Sequence, residues 1–173
     1  GTRWVFFGAS ANEQQRLSLS NKILTLDASG SSPADSAPLV QTVGDHAYEI
    51  SVVVDIDADT EAGLLLFYNN RLFIGMGHSK QGMVIYRGGK SSHWREPAPT
   101  TNTLHLKIVN DRHIVSFYYS TDSVEWKRHG IRSEVSGYHV NTVDDLQGLK
   151  PALFACGKGQ ARFRDFRYKG LPS

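Results

Sequence analysis

The acidic residues are the first place to look for chemistry, because a glycoside hydrolase needs two carboxylates placed across the bond that it breaks. The chain has seventeen acidic residues, so such a pair is available by number. Most of them fall in turns or on the polar side of predicted strands, among them Asp55, Asp57, Asp59, Asp144 and Asp145. Carboxylates in such places are usually solvated surface charges. The sequence therefore does not support catalysis by this chain alone.

Metal-binding and nucleophilic residues give an equally weak signal. The seven histidines are scattered, and no two are spaced as i, i+4 or as His-x-His. His105 and His113 flank one predicted hairpin, but paired surface histidines are more common than a zinc site. Cys156 is the single cysteine and lies in an apolar strand, where an inert buried thiol is expected. The sequence also lacks G-x-S-x-G and a phosphate-binding glycine loop.

Aromatic residues with polar neighbours give better support to a binding surface. Sugars are bound by aromatic rings against their C–H faces, while amides, carboxylates, arginines and histidines bind the hydroxyl groups. One part of the chain is rich in both kinds of residue, and there we predict a carbohydrate-binding site formed by Tyr68, Asn69, Arg71, Phe73, His78, Tyr86 and Trp94. The alternative is that most of these rings are core, which is the commoner outcome for Phe73. For Trp94, in a polar loop, an exposed or interface position is as well supported as a core position.

Asp165 is the one candidate metal ligand. It lies between Phe163 and Phe166 in a strand whose alternation slips, and a β-bulge would explain the slip. A carboxylate beside a bulge could bind a structural calcium ion. It could equally accept hydrogen bonds from backbone amides that the bulge leaves unpaired, and this second interpretation is the favoured one.

Two apolar runs joined by Asn69-Asn70 form the element that must position most of these candidates. The runs predict a β-hairpin with the two asparagines in a type I′ turn. Both faces of its first strand are apolar, with Leu64, Leu66 and Tyr68 on one side and Leu65 and Phe67 on the other. We therefore expect a central strand whose second face is covered by a loop, another domain or a ligand.

The rest of the chain predicts an all-β fold. Apolar and polar residues alternate cleanly in residues 48–56 and 103–109, and no segment shows sustained 3.6-residue periodicity. About ten to twelve short strands with turn residues between them favour a β-sandwich or jelly roll of two antiparallel sheets. A length of 173 residues is ordinary for such a fold, so we predict that residues 1–173 form a single domain.

Charge and composition exclude some classes of partner. The formal net charge is +2 and no stretch concentrates Lys and Arg, so we expect no nucleic-acid partner. No apolar run is long enough to cross a bilayer, so we expect no membrane partner. The chain begins at Gly1 without Met, and we interpret it as a domain of a longer protein.

Four motifs together resemble a known family. They are SPADSAPL (32–39), GDHAYEISVVVDI (44–56), EAGLLLFYNNRLFIGMG (61–77) and RFRDFRY (162–168). Their order and spacing resemble the C-terminal module of glycoside hydrolase family 43 enzymes, which are β-xylosidases and α-L-arabinofuranosidases of xylan-degrading bacteria. The likeness runs from about Trp4 to Leu171.

The resemblance implies a concanavalin A-like β-sandwich that follows an N-terminal five-bladed β-propeller carrying the catalytic carboxylates. It implies an accessory module that binds xylan or arabinoxylan, or that completes the rim of the propeller's active site. A structural docking domain without sugar binding of its own is the alternative. We also expect a secreted or periplasmic bacterial protein, with a cytoplasmic one as the alternative, because a single cysteine does not indicate the compartment.

Overall fold

The computed structural model describes residues 4–7, 13–41, 47–87, 90–93, 101–111, 114–128, 133–134 and 149–172. Every strand pairing in these segments is antiparallel, and the strands form two sheets. The predicted all-β fold of two antiparallel sheets is therefore confirmed. Within the described residues, no helix is long and apolar enough to cross a membrane.

The first sheet has seven strands, and the predicted double-sided hairpin lies inside it. Its order across the sheet is β1 (Val5–Phe6), β4 (Leu39–Val40), β14 (Lys150–Gly157), β6 (Thr60–Asn69), β7 (Leu72–Ser79), β8 (Gly82–Arg87) and β9 (Lys90–His93). The hairpin strand β6 is thus paired on both sides, as its two apolar faces predicted.

The second sheet has eight strands. Along its main path the order is β12 (Lys127–Arg128), β11 (Ile114–Ser120), β10 (Thr103–Asp111), β5 (Ala47–Ile56), β15 (Gln160–Gly170), β3 (Ile23–Asp27) and β2 (Leu17–Ser20). The remaining strand, β13 (Ser133–Glu134), pairs with β11. Two short 3-10 helices, Glu13–Arg16 and Pro33–Asp35, complete the described elements.

Alternating side chains of both sheets fill the space between them, which we call the inter-sheet core. Leu64 and Leu66 of β6 and Val52 and Val54 of β5 are each 2% exposed or less. Burial of one such side chain contributes about 1.5–3 kcal/mol to stability. The alternation read from the sequence therefore gives the inner face of each strand.

A second apolar cluster lies on the opposite, outer face of the seven-stranded sheet. It contains Leu65, Phe67, Phe73, Val84, Tyr86, Ala152, Phe154 and Cys156. Phe7, Ala34 and Val40 pack against it, so the chain's own segments before and within β4 cover this face. Leu65 and Phe67 are at most 1% exposed as a result. This face therefore does not need a sugar or a neighbouring domain to cover it.

The turn of the central hairpin differs from its prediction. Strand β6 includes Asn69, which pairs with Leu72, so the turn residues are Asn70 and Arg71. A type I′ turn requires a left-handed φ angle at both central residues. Neither Asn70 nor Arg71 has one, so the predicted type I′ turn is wrong. A register shift between Phe67 and Asn69 changes the approach of the strand to the turn, which the sequence pattern did not reveal.

Strand β15 contains the bulge that the slipped alternation predicted. Its pairing with β5 shifts between Arg164 and Arg167. Asp165, inside the shift, has a φ of 53°, in the left-handed region that most residues avoid. Asp165 and Arg167, at this irregularity, both line the groove described in the next subsection.

Candidate functional site

Tyr68, Asn69 and Arg71 lie together at the β6–β7 turn. Tyr68 is half-buried and packs against the inter-sheet core. The Oδ1 atom of Asn69 accepts a hydrogen bond of 2.8 Å from the backbone amide of Arg71, so this amide oxygen stabilises the turn. Arg71 is exposed. These three residues form one small patch at the turn, and none of them lines either of the two cavities described below.

Phe73 and Tyr86 lie inside the second apolar cluster. The centroid of the Phe73 ring is 5.8 Å from that of Phe67 and 5.9 Å from that of Tyr86. Phe73 is 1% exposed and Tyr86 is 5% exposed. The hydroxyl of Tyr86 donates a short hydrogen bond to Oε2 of Glu61. Burial, and next the Glu61 carboxylate, raise the pKa of this hydroxyl. Both rings therefore occupy core positions, and neither presents a face to solvent.

His78 lies at the end of β7 on the face that carries Ile74 and Met76, both of which belong to the inter-sheet core. It is 1% exposed, and neither ring nitrogen has a partner with hydrogen-bond geometry among the described residues. Burial lowers the pKa of the imidazole, although the nearby backbone of Asn102 and Thr101 acts against this. His78 is thus a neutral buried base, apart from the other candidates. Trp94, the remaining sugar-binding candidate, lies outside the described residues.

Asp165 is exposed, and its carboxylate has an arginine as a partner. Nη1 of Arg164 donates to Oδ2 of Asp165 at 3.1 Å, and no hydrogen bond joins the carboxylate to a backbone amide of the described bulge. The described residues contain no group of three or more metal-ligating side chains. Calcium binding at Asp165 stays a prediction.

An open groove that the sequence did not reveal lies on the outer face of the eight-stranded sheet. Its cavity volume is about 290 Å³, and the residues that line it include Ser51, Val53, His105, Trp126, Asp165 and Arg167. We call it the outer groove. Three adjacent strands, β10, β5 and β15, form its floor. Register places His105 opposite Val53, and Val53 opposite Arg164, across these strands.

A hydrogen-bonded turn forms one wall of the outer groove. The Oδ1 atom of Asp122 accepts hydrogen bonds from the backbone amides of Val124 (2.8 Å) and Glu125 (3.0 Å). It also accepts one of 2.9 Å from the hydroxyl of Ser120. Trp126 follows this turn directly and precedes the edge strand β12.

Trp126 is half-buried and contacts two polar side chains of β10. Nζ of Lys107 lies 4.1 Å from the centroid of the indole ring, in a cation–π contact. The ring of His105 meets the indole edge-on, with centroids 6.3 Å apart. Burial, and next the charge of Arg164, lower the pKa of His105, so its ring is a neutral hydrogen-bonding group near pH 7.

Some of the charged side chains around the outer groove have ion-pair partners among the described residues, and others do not. Arg162 is held by Asp55 (2.7 Å) and Asp57 (2.9 Å), and Arg164 by Asp165. Among the described residues, no ion pair or hydrogen bond reaches the side chain of Arg167. The groove therefore combines an aromatic wall, neutral hydrogen-bonding groups and one unpaired guanidinium.

A second, more open cavity of about 240 Å³ lies beside Glu61 and Cys156. Sγ of Cys156 is 3.5 Å from Oε2 of Glu61. Burial, and next the Glu61 charge, raise the pKa of the thiol, as expected for the inert cysteine that the sequence predicted. This cavity offers no aromatic face to a ligand.

Comparison with known sequences finds one matching family over nearly the whole chain. The sequence profile of the beta xylosidase C-terminal concanavalin A-like domain matches residues 1–169. Among curated proteins, no match was found.

Solved structures show the same fold. The GH43 protein BlXynB from Bacillus licheniformis is 21% identical, with a TM-score of 0.74 over 91% of this chain and 35% of its own. A bifunctional GH43-CE protein from Bacteroides eggerthii is 23% identical, with a TM-score of 0.72 over 92% of this chain and 24% of its own. A xylan beta-1,4-xylosidase from Bacillus halodurans C-125 is 17% identical, with a TM-score of 0.68 over 92% of this chain and 35% of its own. The chain thus spans about a third or less of each of these proteins.

Proposed function

Because the chain belongs to the family of β-xylosidase C-terminal concanavalin A-like domains, we propose that it is a non-catalytic accessory domain that binds xylan or arabinoxylan. Its partner is a catalytic domain of glycoside hydrolase family 43, an N-terminal β-propeller in the resemblance drawn from the sequence. The enzyme as a whole acts on a polysaccharide, and this favours a secreted or periplasmic location.

The acidic residues support a non-catalytic role. Asp55 and Asp57, two of the carboxylates considered for catalysis, bind the guanidinium of Arg162 on the sheet surface. Both carboxylates are therefore ion-pair partners of an arginine. Hydrogen bonds from Arg162 and from the backbone amide of Gln160 lower the pKa of Asp57. A general acid needs the opposite shift.

The outer groove is the observation that carries the carbohydrate-binding proposal. Trp126 and Val53 give it apolar surface, while Ser51, His105 and Asp165 supply hydrogen-bonding groups. This is the combination of surfaces by which proteins bind sugar rings and orient their hydroxyl groups. The residues of the candidate patch at the β6–β7 turn do not line this groove, and we place the site in the outer groove because it combines both kinds of surface.

Affinity electrophoresis of the purified chain in a gel containing soluble arabinoxylan tests this proposal. We expect the polysaccharide to slow the wild-type protein, and the Trp126→Ala variant to bind at least about ten-fold more weakly, because a buried aromatic contact is lost. Trp94→Ala is the comparison variant, and we expect it to bind like the wild type.

Two results would contradict the proposal. Unchanged migration of the wild-type protein in arabinoxylan and in xylan would remove sugar binding. Retarded migration of Trp126→Ala together with free migration of Trp94→Ala would move the binding site away from the outer groove.

One observation favours the alternative of a docking domain. The hairpin of β2 and β3 lies at the edge of the eight-stranded sheet and exposes Leu19 (72%) and Ile23 (36%). Exposed apolar residues on an edge strand are typical of a contact surface. In that case the separate catalytic domain binds the chain in analytical ultracentrifugation, Leu19→Ser weakens the complex, and Trp126→Ala leaves it unchanged.

A further inference from the structure

We propose that the outer groove binds a saccharide that carries a carboxylate, namely a uronic acid unit, and that Arg167 binds this carboxylate. The inference rests on the proposed carbohydrate-binding function of the groove and adds the chemical class of the sugar. Among the described residues that line the groove, Arg167 is the cation without an ion-pair partner.

The arginines of β15 differ in what they bind. Arg162 makes hydrogen bonds to Asp55 and Asp57 at 2.7 and 2.9 Å, and Arg164 makes one to Asp165 at 3.1 Å. Arg167 lines the groove, is exposed, and has no ion-pair partner within the described part of the chain. A guanidinium presents a planar fork of donors that matches a carboxylate. Arg167 is therefore the charged group available to a ligand.

The row of residues next to Arg167 strengthens its positive field. Register places Lys107, Ser51 and Arg167 side by side across β10, β5 and β15. Nζ of Lys107 reaches Glu49 only at 3.8 Å and lies over the Trp126 ring. Two cations therefore flank Ser51 in one row, and a carboxylate between them would meet a hydroxyl donor as well.

The acidic residue of the lining does not cancel this field. Asp165 has its carboxylate bound to Arg164 at 3.1 Å, so the pair has little net charge. His105 is neutral near pH 7 because burial lowers its pKa, and its ring can bind a sugar hydroxyl. The excess charge of the lining is thus the guanidinium of Arg167, and it favours an anionic ligand.

The size of the groove sets how much of a saccharide it can surround. Its volume of about 290 Å³ is at the lower end of the range for small-molecule sites, which is roughly 300–1,000 Å³. One or two sugar units fill such a space. A uronic acid side branch on a xylan chain has this size and charge.

Isothermal titration calorimetry with two matched ligands tests the inference. One ligand is a xylo-oligosaccharide bearing a single glucuronic acid unit, and the other is the same molecule after reduction of its carboxylate to an alcohol. We expect the acidic ligand to bind the wild type about ten-fold more tightly at low salt, since a charge-assisted hydrogen bond is lost with the carboxylate. Added salt should reduce the difference.

Variants assign the effect to Arg167. Arg167→Gln should remove the preference for the acidic ligand over the reduced one. Lys169→Gln is the matched control, because Lys169 is an exposed cation of the same strand outside the groove lining, and it should keep the preference. Trp126→Ala should weaken both ligands alike.

The outcomes separate this inference from the function on which it rests. Equal binding of the two ligands by the wild type, or a preference that survives in Arg167→Gln, overturns the role of Arg167 while sugar binding stands. Binding of neither ligand overturns sugar binding in the groove, and with it the inference. The melting temperature of each variant shows that it is folded. The variant Arg167→Lys keeps the charge but lacks the planar arrangement of donors, so it should bind the acidic ligand with intermediate affinity.

Discussion

His78 illustrates how surroundings decide what a residue can do. The residue type suggests a sugar ligand or a proton carrier, but the side chain is sealed between the two sheets at 1% exposure. The sequence contained the necessary signal, because His78 is two residues from Met76 and four from Ile74, both apolar, on one face of the strand. A polar residue at the end of an apolar strand face can be either a buried core residue or an exposed ligand-binding residue. Which of the two it is depends on the segments that pack against the end of the strand.

We predict that His78 makes the folded protein less stable in acid. Burial lowers the pKa of its imidazole in the folded protein, whereas in the unfolded chain a histidine titrates at about 6.5. Below that pH the unfolded state binds a proton that the folded state does not, so the free energy of unfolding decreases as the pH falls. Urea denaturation at pH 7.5 and pH 5 measures this decrease.

The variant His78→Leu should show a smaller decrease between the two pH values, because it has no proton to bind in either state. His105→Gln is the control, since His105 is less buried than His78 and its removal should change the pH dependence less. The prediction is contradicted when wild type and His78→Leu lose the same free energy of unfolding.

At the scale of elements, the bulge of β15 connects a backbone irregularity to the candidate site. The slip of alternation in residues 161–168 predicted the bulge, because a strand with regular side-chain alternation cannot place Phe163 and Phe166 on one face. The consequence of the bulge was beyond such reasoning. Arg167 and Asp165 reach the outer groove only because β15 pairs with β5, which is more than a hundred residues away along the chain.

We predict that the bulge tolerates glycine but not a β-branched residue at position 165. Asp165 has a left-handed φ of 53°, a conformation that costs a residue with a Cβ atom about 1–2 kcal/mol. Aspartate already bears part of this cost and a β-branched residue bears more, so Asp165→Val should lower the free energy of unfolding by about 1 kcal/mol. Asp165→Gly should leave it unchanged or raise it, because the lost pair with Arg164 is exposed and contributes little. Equal losses in the two variants, measured by urea denaturation, would contradict this account.

The same proteins test the calcium hypothesis for Asp165. Calcium bound to the folded state raises the melting temperature of a protein. A rise on adding calcium that is present in the wild type and absent from Asp165→Gly would support a site at the bulge. No rise in the wild type would remove the hypothesis.

At the scale of the whole molecule, the sequence predicts the strands and their inner faces. It does not predict which residues from distant parts of the chain lie side by side. Alternation in β5 and β10 gave the strands and their inner faces, since side-chain period is a local property. The predicted sugar-binding residues all fall between positions 68 and 94, because aromatic and polar residues are dense there. The outer groove instead joins positions 51, 105, 126 and 167, and strand order decides that they meet.

The cover of the seven-stranded sheet is a second feature that depends on the whole chain. Two apolar faces on β6 showed that something must cover the outer face, but not what. The structure supplies Phe7, Ala34 and Val40 from segments that lie before β5 in the sequence. The ring of Phe7 packs edge-on against Phe67, with centroids 4.9 Å apart.

We predict that removal of the Phe7 ring opens the second apolar cluster to water. A half-buried phenylalanine loses less on truncation than a fully buried one, so Phe7→Ala should cost about 1–3 kcal/mol of unfolding free energy, below the 3–5 kcal/mol typical of full burial. Binding of a dye that fluoresces on apolar surfaces should increase, because Leu65 and Phe67 lose their cover. Val5→Ala is the matched control, since Val5 lies on the same short strand at 51% exposure, and it should change stability by no more than about 0.5 kcal/mol. If Phe7→Ala left both stability and dye binding unchanged, the outer face would be free to take a partner, and the docking alternative would gain over sugar binding in the outer groove.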